Sequence, residues 1–104
     1  MAALSAEDER SWRLNAAALD AAAADWPRAR LLIRGNLARM SAAGRASPEL
    51  VRRYRWLVDQ GLDTLRSEVL ARDDRGQALR SLHPLAGLVA PRACHAILRE
   101  VPLR

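Results

Sequence analysis

The chain has 104 residues, and its net charge of +5 comes from 17 basic residues, all of them arginine, against 12 acidic ones. Half of the residues are apolar, but phenylalanine is absent and alanine is abundant, so the sequence supplies one thin hydrophobic core and no second one. A single cysteine excludes an internal disulfide framework, and no apolar run reaches the roughly 20 residues that cross a membrane. We therefore expect one domain over residues 1–104, located in the cytoplasm.

The first predicted helix runs from a cap at Ser5 to about Ala24. Ser5 followed by Asp8 is the pattern of a capping box, and acidic residues in the first turn favour the positive end of the helix dipole. Large residues spaced by sevens, with alanines between them, indicate a narrow packing seam, formed by Trp12, Ala16, Leu19, Ala23 and Trp26.

The second predicted helix runs from about Trp26 to Ala43 and is ended by Gly44. Asp25 can cap it, and Pro27 fits its first turn because the missing N–H has no partner there. The inward face is predicted to hold Ala29, Leu32, Ile33, Asn36, Met40 and Ala43. Leu31 points the other way between Arg30 and Arg34, which makes this trio a candidate contact, although a single exposed leucine is also ordinary.

The longest predicted helix extends from Ser47 to Arg72 after a short link at 44–46, which argues for an antiparallel pair with the second helix. Ser47 is the expected cap and Pro48 the first helical residue. Apolar residues recur at threes and fours and define one buried face: Val51, Tyr54, Val58, Leu62, Leu65 and Val69. The pattern predicts a long central helix.

Trp56 lies opposite that buried face, beside Arg52 and near Arg53. Tryptophan and arginine often carry the binding energy of protein interfaces, so one interpretation is an exposed partner-binding anchor. The other interpretation is that Trp56 packs beneath the apolar segment 83–90, HPLAGLVA, which needs a neighbour.

The remaining chain predicts two short helices and a loop. Asp74 can cap a helix from Gln77 to Leu82, the segment 83–90 forms a loop or a single turn, and Pro91 opens a last helix to about Val101. Together the elements predict an all-α bundle of about four to five helices around the long central helix.

No catalytic or metal-binding pattern accompanies these helices. The potential soft ligands are His83, Cys94 and His95, whose spacing fits no zinc motif, and a Cys–His nucleophile pair needs His83 to fold back onto Cys94. The carboxylate pairs Asp73–Asp74 and Asp59–Asp63 are explained by turn solvation and by pairing with arginines of the same helix. We expect no enzyme activity, no cofactor and no metal.

Two binding functions remain. A DNA-binding module is one, since the second and third helices loosely follow a helix-turn-helix and Arg52, Arg53 and Arg55 could contact phosphates. The long preceding helix and the acidic residues among the arginines argue against it, so direct binding of nucleic acid is not expected. The other is a helical homodimer that binds a second protein, with candidate contacts at Arg30, Leu31, Arg34, Arg52, Arg53 and Trp56.

The segments RARLLIRGNLARM, at 28–40, and RRYRWLVDQGLDTLR, at 52–66, lie in a single Ala- and Arg-rich helical chain. In this respect the whole sequence resembles the pseudomonad quorum-sensing antiactivators of the QslA type. The resemblance implies binding to the ligand-binding domain of a LuxR-type transcription factor. Such binding blocks dimerisation of the regulator and so prevents its attachment to promoter DNA. The resemblance supplies no contact residues, and the six named above rest on the surface pattern.

Overall fold

The structure, a computed structural model, describes residues 5–85, 87–88, 96–97 and 99. Within these residues it contains five helices and no strand. The helices are α1 (Ala6–Ala24), α2 (Trp26–Ala42), α3 (Pro48–Gln60), α4 (Leu62–Val69) and α5 (Asp74–Arg80). The prediction of a small all-α bundle is confirmed.

Helix α1 begins with the predicted capping box. The Asp8 amide donates to Ser5 Oγ at 3.1 Å, and the Ser5 amide donates to Asp8 Oδ2 at 3.3 Å. The buried residues of α1 are Asn15, Ala18, Leu19 and Ala22. The predicted seam was therefore right at Leu19 but wrong at Ala23, which is exposed. Spacing by three and four residues follows the 3.6-residue turn, so positions 15 and 22 face the core beside Leu19.

Helix α2 begins where the sequence predicts, because Asp25 Oδ1 accepts the Arg28 amide at 3.3 Å and Pro27 lies in the first turn. Its buried residues are Ala29, Ile33 and Leu37. Leu37 is missing from the predicted face, whereas Ala43 was assigned to it and is exposed at the helix C-cap. A terminal residue has no facing helix to cover it.

The prediction of an uninterrupted helix from Ser47 to Arg72 is wrong. Gly61, with φ 117° and ψ 169°, ends α3 and starts α4. Only glycine occupies this backbone region without strain, because a Cβ would collide with the neighbouring peptide groups. The break makes two helices, of 13 and 8 residues, where the apolar spacing alone indicates one.

The core is built on the apolar face of α3 and α4. Val51, Tyr54, Val58, Leu65 and Val69 are buried as predicted. Leu62, next to the break, is only partly buried, and Leu57 is fully buried although it was not assigned to this face. Ile33 and Leu37 of α2, Leu19 of α1 and Leu79 of α5 complete the same cluster. Each outer helix thus contributes one or two large side chains to a thin core.

Helix α5 begins earlier than predicted. Asp73 rather than Asp74 is its cap, since Asp73 Oδ1 accepts the Gly76 amide at 2.8 Å. At the other end, the buried Arg80 guanidinium donates through Nη1 to Val69 O and Ala71 O, both at 2.8 Å. Arg80 therefore satisfies carbonyl groups at the end of α4, which the helix itself leaves without partners.

The chain after α5 turns back onto α2. His83, Pro84, Leu85, Gly87 and Leu88 are non-helical, as expected for a loop. The amide of Asn36 on α2 donates to Pro84 O at 2.7 Å and holds this turn. The predicted last helix from Pro91 to Val101 lies outside the described residues, apart from 96, 97 and 99, whose backbone is helical. None of the described helices has the length and apolar character needed to cross a membrane.

Candidate protein-binding surface

Two large apolar side chains face outward in the described part of the chain. Leu31 on α2 is 69% exposed and Trp56 on α3 is 51% exposed. Both were predicted as outward candidates from their helical phase. Burial of an apolar side chain is favourable, so these two residues contribute little to the stability of the fold and can contribute burial energy when a partner covers them.

An ion pair joins the helices that carry these residues. Arg34 Nη2 on α2 donates to Asp59 Oδ1 on α3. Arg34 follows Leu31 by one turn and Asp59 follows Trp56 by one turn, so the pair connects the two outward faces. We call this surface the α2–α3 outer face: Arg30, Leu31, Arg34, Arg52, Arg53, Trp56 and Asp59.

The direction of the two helices sets the spacing on this face. Only residues 43–47 connect α2 to α3, and Arg34 and Asp59 lie at similar distances from that connection, so the helices run antiparallel. Leu31 and Trp56 consequently flank the Arg34–Asp59 pair on opposite sides along the helix axes. The apolar groups form two separate anchors with a charged bridge between them.

Arg53 contacts the Trp56 ring. The Arg53 guanidinium lies 5.5 Å from the centre of the indole ring, within the range of a cation–π contact. Arg53 Nη2 also lies 3.5 Å from Glu68 Oε1 on α4. The described residues of the 83–90 segment leave half of the indole surface uncovered, and Pro84 of that segment is tied to Asn36 instead. Trp56 is therefore not buried beneath the described residues of segment 83–90, and that interpretation is wrong for this part of the segment.

The other arginines of the face are less constrained. Arg52 is exposed, Arg30 is partly buried, and neither has an ion pair within the part of the chain that the structure describes. Their guanidinium groups are free to bind carboxylates in the bidentate geometry that arginine favours. All six predicted contact residues thus lie on two adjacent helices, and the ion pair brings Arg34 next to α3.

Sequence reasoning missed the acidic members of this surface. Asp59 was expected to pair with an arginine of its own helix, but it pairs with Arg34 across the α2–α3 boundary. Glu68 partners Arg53 from α4, and Asp63 has no ion pair among the described residues. Pairs between helices depend on how the helices dock, which helical spacing alone does not contain. Both pairs also reduce the positive potential that phosphate binding would need.

A second tryptophan–arginine contact serves α1 instead of a surface site. Trp12 Nε1 donates to Leu70 O at 2.8 Å, and the Arg72 guanidinium lies 4.1 Å from the ring centre. Arg72 Nη1 also donates to Glu9 Oε2 at 2.9 Å, while Arg13 Nε donates to Glu9 Oε1 at 3.3 Å. The hydrogen bond from Arg72 is the main cause that holds the pKa of Glu9 below its ordinary value. This network clamps α1 to the end of α4.

No three His, Cys, Asp or Glu side chains among the described residues lie close enough together to hold a metal ion. His83 is exposed, with a left-handed backbone at φ 56°. Cys94 and His95, the other potential ligands in the sequence, lie outside the described residues. The α2–α3 outer face therefore has the character of a binding surface built from arginines and two apolar side chains.

No protein-family model, no curated protein and no solved structure matches this chain.

Proposed function

We propose that this chain is a non-catalytic regulator that acts by binding another protein through the α2–α3 outer face. The observation that carries the proposal is the placement of Leu31 and Trp56, both outward, on either side of the Arg34–Asp59 ion pair. A partner surface with apolar pockets and nearby carboxylates complements this arrangement of anchors and arginines.

Trp56 can supply a substantial share of the binding free energy. An indole carries up to roughly 250 Å² of surface, so burying the exposed half of Trp56 contributes about 3 kcal/mol at roughly 25 cal/mol per Å². Arg53 lies against the ring, and its positive charge can also attract a carboxylate of the partner beside the indole. Trp56 is therefore the residue on which we expect binding to depend most.

The sequence resemblance to QslA-type antiactivators suggests the partner: the ligand-binding domain of a LuxR-type transcription factor. A dimeric DNA-binding regulator must pair two copies to occupy both half-sites of its promoter. A small helical protein bound at that pairing surface keeps the regulator monomeric, and promoter binding is lost. The mechanism requires no catalysis, and the abundance and affinity of the inhibitor set the threshold of the response.

The proposal places the chain in the cytoplasm as a homodimer. A regulator of transcription must meet its partner there. Self-association would compensate for the thin core, since each of the outer helices buries few large side chains.

The test is a binding measurement with the purified chain and the purified ligand-binding domain of a LuxR-type regulator. We expect a complex by calorimetry, and loss of the regulator's promoter gel shift as the chain is added. Trp56→Ala should weaken binding at least tenfold, and Leu31→Ala combined with Arg34→Ala should do the same, whereas the exposed Ser67→Ala on α4 should bind like the wild type. Circular dichroism and the thermal midpoint should change little in all of these variants.

Three outcomes would contradict parts of this proposal. Unfolding of Trp56→Ala would show that the indole supports the core. Binding to the regulator that survives all face variants would move the contact elsewhere. Tight binding of random duplex DNA by the purified chain, falling steeply as salt rises, would favour the helix-turn-helix alternative, in which Arg52 and Arg55 contact phosphates.

A further inference from the structure

A cleft on a different side of α2 has a positively charged rim and an apolar floor. It lies between the last turns of α2, the connection to α3 and the turn that follows α5, it is open to solvent, and its volume is about 330 Å³. Its described lining residues are Asn36, Arg39, Met40, Arg45, Leu82 and His83. Arg39 lies about 140° around the helix from Arg34, so the cleft is separate from the α2–α3 outer face.

The floor of the cleft is apolar and fixed. Leu82 is buried, and Met40 packs against the hydrophobic core from α2. Because both side chains belong to the core, the apolar surface that they present to the cleft keeps its shape without a ligand. An apolar group entering the cleft would cover this surface at little cost in ordering the protein.

The rim is cationic, and no carboxylate lies among its described lining residues. Arg39 Nη2 donates to the neutral amide oxygen of Asn36, so its charge is not neutralised by that contact. Arg45 has no ion pair within the part of the chain that the structure describes. Two guanidinium groups around an apolar floor select an anion with an apolar tail.

The backbone around the rim is held in place from both sides. Asn36 Nδ2 donates to Pro84 O at 2.7 Å, which anchors the turn that carries His83. The Arg45 amide donates to Met40 O at 3.2 Å, which anchors the connection that carries Arg45. His83 keeps a left-handed backbone, φ 56°, that a non-glycine residue adopts only where its surroundings require it. The backbone segments that carry Arg45 and His83 are therefore held in place beside the cleft.

We propose that this cleft binds a small aliphatic carboxylate, with Arg39 and Arg45 on the carboxylate group and the alkyl chain on Met40 and Leu82. Its volume is close to the lower end of the roughly 300–1,000 Å³ seen for small-molecule sites, which suits a short or medium alkyl chain. This site goes beyond the proposed protein-binding function and does not depend on it.

The experiment is a titration of the full chain with octanoate, followed by ¹H–¹⁵N NMR. The amide signals of Arg39, Arg45, Leu82 and His83 should shift together and saturate, while those of α1 stay in place. Arg45→Gln should weaken octanoate binding at least tenfold. Arg28→Gln is the matched control, since it lies on α2 about 16 Å from Arg39 along the helix.

Probes that carry either the anionic group or the alkyl chain, but not both, distinguish the ligand class. Acetate, inorganic phosphate and octanol should each bind at least tenfold more weakly than octanoate. The proposal is overturned if octanoate produces no saturable shifts at these residues, or if it shifts signals over the whole surface. It also fails if acetate or phosphate binds as well as octanoate, or if Arg28→Gln weakens binding as much as Arg45→Gln.

Discussion

Tyr54 shows how one buried polar atom affects stability. Its side chain is fully buried, and the hydroxyl has no hydrogen-bond partner among the described residues. Burial raises the pKa of this hydroxyl well above the ordinary 10.0, because the phenolate cannot be solvated in the core. The hydroxyl therefore contributes an unsatisfied group to the folded state and nothing that offsets it.

We expect Tyr54→Phe to leave the fold intact and to change the free energy of unfolding by about 0 to +1 kcal/mol, in the stabilising direction. The pH dependence has a definite sign. Above pH 10.0 the unfolded chain loses the phenol proton while the folded chain keeps it, so the wild type loses stability as pH rises. Denaturant melts at pH 8 and 11 measure this loss, which should be smaller in Tyr54→Phe. Destabilisation by more than about 1 kcal/mol at pH 8 would indicate a hidden partner for the hydroxyl.

Glu9 links stability to pH in the opposite direction, because folding lowers its pKa. Arg72 and Arg13 lower its pKa below the ordinary 4.5, so the ion pairs stabilise the fold above that pH, and the contribution is lost as pH falls through the lowered value. Glu9→Gln should cost about 0.5–1 kcal/mol at pH 7 and nothing near pH 2. Chemical denaturation at both pH values is the measurement. Glu7→Gln, in the same turn but without an ion pair among the described residues, should cost less, and an equal cost would refute the specific role of Glu9.

At the scale of the helix, Gly61 decides the architecture. Residues 47–72 carry helical apolar spacing throughout, but φ 117° at Gly61 separates α3 from α4. The break lets α4 follow a different direction and pack against α1 and α5 while α3 packs against α2. A continuous helix could not keep all of these contacts, because its axis has a single direction.

Gly61→Ala should therefore destabilise the protein by about 1–3 kcal/mol, although a Cβ at this position meets no atom within 4 Å. The cost comes from crowding of the Cβ against the adjacent peptide groups at this φ and ψ, and not from a collision with another part of the fold. Gly35→Ala is the control: Gly35 lies inside α2, where the nearest atom to an added Cβ is Arg39 Nη1 at 3.6 Å, so alanine should stabilise by about 0.5–1 kcal/mol. Thermal unfolding compares the two, and a Gly61→Ala variant as stable as the wild type would mean that a continuous helix is tolerated.

For the whole molecule, the balance between core and surface leads to the expectation of a dimer. Most of the fully buried side chains come from α3, α4 and the middle of α2, and two large apolar groups remain outside. A protein with this distribution gains stability when a second copy or another protein covers the exposed anchors.

Light scattering at micromolar concentration should give twice the chain mass of 11.5 kDa. The thermal midpoint should rise with protein concentration, because dilution favours dissociation. The mass of the Trp56→Ala variant then shows whether the α2–α3 outer face forms the dimer contact as well as the partner contact. A dimer that survives this substitution uses another surface, whereas a wild-type mass of one chain contradicts self-association altogether.

The sequence by itself determined the helical class, the positions of most helix starts and the helical phase that points Leu31 and Trp56 away from the buried faces, whereas the exposure of Trp56 was decided by the structure. These follow from local rules: capping residues satisfy free amides at a helix end, and the 3.6-residue period sorts side chains onto faces. The same local rules predicted too long a central helix. The apolar spacing continues through Gly61, but the backbone leaves the helical conformation at this residue.

Only the tertiary structure decided which charges meet and where clefts form. Residues from different helices or connections meet in three places: the Arg34–Asp59 and Arg53–Glu68 pairs, the contacts of Trp12 with Leu70 and Arg72, and the cleft that Met40 lines with Arg45 and His83. Their formation depends on the directions in which packed helices run, and those directions follow from the break at Gly61 and the packing of the core. A sequence pattern fixes the face of a side chain on its own helix, but docking selects the neighbour that this face meets.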